Sequence, residues 1–208
     1  MTDFSDFKAQ IAEWQNREDW SDNLVTSFVR MAEQKLNQEL RVGRMIETQE
    51  ALINGRCIAL PDDWLEMSLV QIANTGVPGG LYPIHYRPRD EFFKLPDKWS
   101  NGFYTIEGRE AFFGGPPDAV NGQTVRISYY GEVPVFSDTN PSWIYTKYPS
   151  LYLSAAMMHA YMHAVGEEQS AAMAKQLVED GIAKLNAEWA YAKASGSRLT
   201  RTMRRSFG

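Results

Sequence analysis

At 208 residues, with 44% hydrophobic and 23% charged side chains, the chain has a globular rather than disordered composition and room for one elaborated domain or two small ones. Its single cysteine, Cys57, excludes an intrachain disulfide and a cysteine-based zinc site within one chain. Net charge is −5, yet residues 195–208 carry four arginines and no acid; the other 194 residues therefore hold −9, which does not describe a general DNA-binding surface.

The N-terminal segment MTDFSDFKAQ lacks a basic stretch followed by an apolar run, and no apolar stretch approaches the length of a membrane span, so neither a signal peptide nor a membrane association is expected. Phe7, Ile11 and Trp14 fall at helical spacing and predict a first helix from Asp3 to Gln15. Ser21 predicts the N-cap of a second helix, whose apolar stripe is Leu24, Phe28, Met31, Ala32, Leu36 and Leu40 and whose stop is Gly43. The pattern then changes period. Asn54-Gly55 between two short apolar runs is a strong hairpin signal, because both turn residues tolerate positive φ. Further strands are expected over Leu69–Ile72, Leu81–Tyr86 and Thr124–Tyr130. A turn is expected at 75–80, a short helix at Pro88–Phe93, and a second hairpin pairs Phe103–Ile106 with Glu110–Phe113.

Helices return at Ser142–Thr146 and at Ser150–Val165, the latter apolar almost all round and so expected to be central. Gly166 breaks it. A last helix carries Met173, Leu177, Val178, Ile182, Leu185, Trp189 and Ala192 along one face, and Ser195-Gly196-Ser197 is expected to release the chain into its basic end. This layout predicts an α+β fold. The N- and C-terminal helices (1–45 and 137–194) form a helical bundle, a small antiparallel β module is inserted at 46–136, and an extended basic tail occupies 195–208.

Chemistry is sparse. His159 and His163 lie four apart on one helix, the spacing that aligns two imidazoles, but the intervening Ala160-Tyr161-Met162 lacks the general base of a zinc-protease helix. The pairs Asp62/Asp63 and Glu167/Glu168 are accounted for by capping and solvation. No phosphate loop or nucleophile elbow is present, and neither a catalytic residue nor a metal or cofactor is expected. The basic end is different. Leu199, Met203 and Phe207 recur every four residues among Arg198, Arg201, Arg204 and Arg205, a pattern suited to a segment that orders on a partner. These seven residues are the candidate partner-binding set. The alternative use of the arginines is on nucleic-acid phosphates, as in a packaging or assembly factor.

Three stretches occur in a telling order. Trp20-Ser-Asp-Asn-Leu runs through Phe28, Ala32-Glu33 and Leu36-Asn37 to Leu40-Arg41-Val42 and Glu47-Thr48. Ile58-Ala-Leu-Pro-Asp-Asp-Trp-Leu-Glu66 follows. The third is Ile127-Ser-Tyr-Tyr-Gly-Glu-Val-Pro134, then Ser137-Asp-Thr-Asn-Pro-Ser-Trp143 and Pro149-Ser-Leu-Tyr-Leu153. Together they resemble the head-to-tail adaptor (connector) proteins of tailed bacteriophages, over most of residues 18–193. The resemblance implies a non-enzymatic virion protein at the neck, present in the host cytoplasm during assembly. It implies a ring of typically twelve copies beneath the portal protein, contacting a tail or nozzle protein, with the C-terminal segment reaching the portal. DNA would pass through the lumen without sequence-specific binding, and an acidic body that does not grip DNA suits that role.

Overall fold

A computed structural model of the chain describes residues 3–17, 19–73, 80–96 and 102–205, with side chains of the last helix described through residue 194. Residues 74–79, which hold most of the expected turn at 75–80, and Phe207 lie outside the described residues. The chain divides into two compact units, Arg44–Glu132 and the pair of segments Met1–Gly43 and Val133–Gly208.

The helical unit begins with α1 (Phe4–Trp14), capped by the Asp3 carboxylate, which accepts from the Phe4 N–H at 2.7 Å. Helix α2 (Asp22–Glu39) is capped by Ser21, whose Oγ accepts from the Leu24 N–H at 3.3 Å. Its buried stripe is Val25, Phe28, Val29, Ala32, Glu33 and Leu36, rotated from the expected one, so that Met31 is exposed and Leu24 only half-buried. After the β unit come α5 (Trp143–Lys147), capped by Ser142, and α6 (Pro149–His163), which begins on Pro149, where a missing N–H costs nothing. The last helix, α7, runs from Glu168 to Arg205. Phe4, Phe7, Phe136, Tyr145 and Tyr152 form one aromatic cluster, with ring centroids 4.8–6.0 Å apart.

Small residues set how closely α6 and α7 pack. Ala155, Ala156 and Ala160 on α6 and Ala171 and Ala174 on α7 are buried. A Cβ added at Gly181 would lie 2.9 Å from Leu151 Cδ1, so this mid-helix glycine lets the Leu151 side chain lie against the α7 backbone. Gly43 similarly receives the Trp189 ring, which a Cβ there would meet at 2.4 Å.

The β unit holds one seven-stranded sheet in the order β1-β7-β3-β4-β5-β6-β2. Its strands are β1 (Ile46–Leu52), β2 (Cys57–Ala59), β3 (Trp64–Ala73), β4 (Leu81–Tyr86), β5 (Phe103–Glu107), β6 (Glu110–Phe113) and β7 (Thr124–Gly131), with short helices α3 (Arg89–Phe92) and α4 (Pro117–Val120). Pairing is antiparallel except β4 with β5. The Asn54-Gly55 turn forms, with Gly55 at φ 63° and Asn54 bridging Cys57, but its flanking strands do not pair as a hairpin. Instead β1 pairs with β7 and β2 with β6, so the turn joins the first and last strands and the sheet curls almost shut. Val70, Ile72, Ile84, Phe113, Ile127 and Tyr129 are among the buried residues of its core.

The expected fold is therefore corrected in two respects. The β part is a seven-stranded, nearly closed mixed sheet with its own core, in a mixed α+β protein, rather than a small antiparallel module carried by a helical bundle. Nor is the basic end an extended tail: helical backbone continues through Ser195-Gly196-Ser197 to Arg205. Gly196 costs the helix only about 1 kcal/mol relative to alanine. Propagation from a helix already nucleated tolerates this where nucleation would not.

Candidate partner-binding site

The helical unit is fixed internally by one buried carboxylate. Glu33, 4% exposed on α2, accepts from the Phe136 N–H at 2.7 Å and from the Tyr152 hydroxyl at 2.9 Å through Oε1, and from Arg30 Nη1 at 2.7 Å through Oε2. Arg30 also donates to the Phe136 carbonyl at 3.0 Å. One side chain thus holds α2, the segment after the β unit and α6 together. Burial, and then the neighbouring Glu33 charge and hydrogen bond, push the Tyr152 phenol well above its ordinary value. Sequence reading missed Glu33 as a structural centre. The signal was its place four residues after Val29 and three before Leu36, on the buried stripe itself.

On the other side of α6 lies an apolar groove of about 260 Å³, lined by Trp14, Leu153, Met157, Tyr161, Met173 and Leu177 among others. Trp14, Met173 and Leu177, which periodicity puts on the apolar faces of their helices, are 60%, 62% and 61% exposed. The buried face of α7 runs instead through Ala171, Ala174, Val178 and Ile182. Exposed apolar side chains gathered at a concave site mark an interaction surface more strongly than the same residues scattered singly.

Of the expected partner-binding residues, Arg198, Leu199, Arg201, Met203, Arg204 and Arg205 all lie on the last two to three turns of α7, on one helix with the groove residues Met173 and Leu177. By helical periodicity positions 199 and 203 fall on one side and 198, 201 and 205 on another. Before them, residues 190–194 are exposed, Tyr191 at 76%.

His159 and His163 differ in exposure and surroundings. His163 is exposed and meets the Phe28 ring at a tilt and the Trp20 ring edge-on, with centroids 5.5 and 6.1 Å away. His159 is half-buried, and burial followed by the Lys35 ammonium holds its imidazole below the ordinary value, against a hydrogen bond with the Met31 backbone. Because protonation is disfavoured in the folded chain, stability is full above the unfolded value near 6.5 and is lost as pH falls through it. The expected slope is below about 1.4 kcal/mol per pH unit, reduced by partial solvation of the ring. Urea midpoints at pH 7.5 and 5.5 read it, and His159→Asn flattens the difference. Among the described residues no three His, Cys, Asp or Glu side chains converge as metal ligands. Cys57 is half-buried, and burial, then the Glu110 charge, push its thiol up, away from a reactive thiolate.

In the β unit the Tyr129 hydroxyl sits between Asp63 Oδ1 at 3.2 Å and Glu47 Oε2 at 3.5 Å and accepts from Gln49 Nε2 at 3.0 Å. Asp63, expected to be merely solvated, is a partner of this buried phenol; Asp62 beside it pairs with Arg109 at the surface. Exposed Tyr82, Tyr86 and Phe93 lie along β4 and just after α3. No helix among the described residues is long and apolar enough to cross a membrane.

Compared with known proteins, residues 2–206 match a protein-family model described as SU10 adaptor protein, which covers nearly the whole chain. No curated protein matches it.

Proposed function

Since the chain belongs to the SU10 adaptor protein family, a structural family consistent with phage head-to-tail adaptors, we propose that it joins portal to tail in the virion neck. In this reading copies of the chain, about twelve, close into a ring beneath the portal protein. The ring receives a tail or nozzle protein below, and DNA passes through its lumen without sequence-specific contacts. Residues 198–207 are the portal-docking arm: Arg198, Arg201, Arg204 and Arg205 pair with portal carboxylates, and Leu199, Met203 and Phe207 supply apolar anchors. The observation that carries the reading is the family match over residues 2–206. The arm adds weight, because exposed helix such as that at residues 190–194 gains stability by lying against a partner.

Removing residues 195–208 tests it. The truncated chain is expected to keep the circular dichroism of a folded protein and to lose co-sedimentation with portal rings; unchanged co-sedimentation refutes the docking role. The same +4 charge favours a second reading, in which the arm binds nucleic-acid phosphates. That reading requires DNA affinity falling with salt at a slope of no more than about four phosphates, and absence of binding at low salt excludes it.

A further inference from the structure

The groove beside α6 and the arm at the end of α7 are complementary parts of one chain that cannot meet within one copy. The groove is largely apolar inside, and acidic residues flank its lining residues in the sequence. Glu13 adjoins Trp14, Glu167 and Glu168 open α7, and Glu179 and Asp180 follow Leu177. Against them stand Arg17 and Lys175, and Lys175 is itself 3.8 Å from Glu179. The arm has the opposite character: four arginines and no acid over residues 195–208, with apolar residues at 199 and 203 one helical turn apart. Helix-in-groove recognition uses that spacing of anchors.

Reach decides whose arm fills the groove. Residues 173 and 199 lie on the same continuous helix, 26 positions apart, which at 1.5 Å per residue separates them by about 39 Å. A rigid rod cannot fold its end back onto its own beginning, so the occupant comes from outside the copy. We infer that, in the portal-free protein, the Leu199/Met203 side of α7 from a second copy lies in the groove lined by Trp14, Tyr161, Met173 and Leu177. The contact is head-to-tail: each copy offers one arm and one groove, and such contacts repeat until they close. It rests on the reading of residues 198–205 as a docking arm and adds a second occupant for it, the neighbouring copy, before the portal takes the arm over.

Sedimentation of the full chain without portal or DNA tests the inference. The 23.7-kDa chain is expected to associate with rising concentration. Leu177→Asp, at an exposed groove position, and Leu199→Asp combined with Met203→Asp, on the arm, are each expected to weaken association at least ~10-fold, with unchanged circular dichroism. Mixing the two variants in equal amounts is the decisive measurement. A pair still holds one intact groove and one intact arm, so a species of two chains returns and grows no further. The inference is overturned by a parent chain that stays monomeric, by either variant associating as the parent does, or by a mixture that remains monomeric. None of these outcomes touches portal docking, which co-sedimentation with portal reads separately.

Discussion

Glu33→Ala is expected to destabilise the helical unit by about 3–5 kcal/mol, the range for breaking a buried charged network from one side. In a chain of this length that lowers the melting temperature by roughly 10–15 °C. The cost comes from what the deletion leaves behind. The Phe136 N–H and the Tyr152 hydroxyl, both at buried residues, lose their acceptor, and Arg30 loses its carboxylate while keeping the Phe136 carbonyl and the Phe4 ring. Glu33→Gln retains one oxygen able to accept from Phe136 and Tyr152 but turns an amide N–H toward Arg30, so an intermediate loss is expected. Combining Glu33→Ala with Tyr152→Phe is expected to cost less than the two changes added, because the phenol that alanine strands is gone. Calorimetry of the four proteins measures this. Strict additivity, or a loss below 1 kcal/mol for Glu33→Ala, would show that the network is not held as described.

Glu33 also shows what can be read from the chain and what cannot. Its position on the buried stripe of α2 follows from period alone, while the partners that make a buried charge tolerable come from residues 103 to 119 positions away. The β unit repeats the lesson. Local turn chemistry at Asn54-Gly55 and at the β5–β6 hairpin is legible, and both turns form. Which strand lies beside β1 is not, because β7 is some 80 residues distant and nothing local distinguishes it from β2. Reading the turn as a hairpin underestimated the sheet, whose closure depends on that distant pairing. On α7 the error had a different origin. Large apolar residues suggested the core face, but close packing on α6 selects Ala171, Ala174 and Gly181 and leaves Met173 and Leu177 outside. The groove was thus hidden in plain composition. The helical state of the basic end was masked by Ser195-Gly196-Ser197, a sequence that does not start helices yet does not end this one.

Stability is expected to fall steeply above pH 10, because two fully buried phenols, one in each unit, hold their protons more tightly in the folded chain than in the unfolded one. Tyr152 is raised by burial and then by Glu33, with Arg30 opposing; Tyr129 is raised by burial and then by Asp63 and Glu47. Both have no exposed surface. Below the unfolded value of 10 each phenol is protonated in both states, so the stability linked to it is fully present. Above it the unfolded chain releases protons that the folded chain keeps, and unfolding becomes progressively easier until the folded values are reached. Each phenol contributes up to about 1.4 kcal/mol per pH unit, so the pair contributes up to about 2.7, whereas surface tyrosines that titrate alike in both states cancel. Urea midpoints taken between pH 9 and 11.5 test this. Tyr152→Phe and Tyr129→Phe should each remove up to about 1.4 kcal/mol per pH unit of the slope, at the cost of one hydrogen-bonded partner for Glu33 or Asp63 at neutral pH. A parent profile that stays flat to pH 11.5 would mean that the carboxylates beside these hydroxyls do not hold them as the geometry requires.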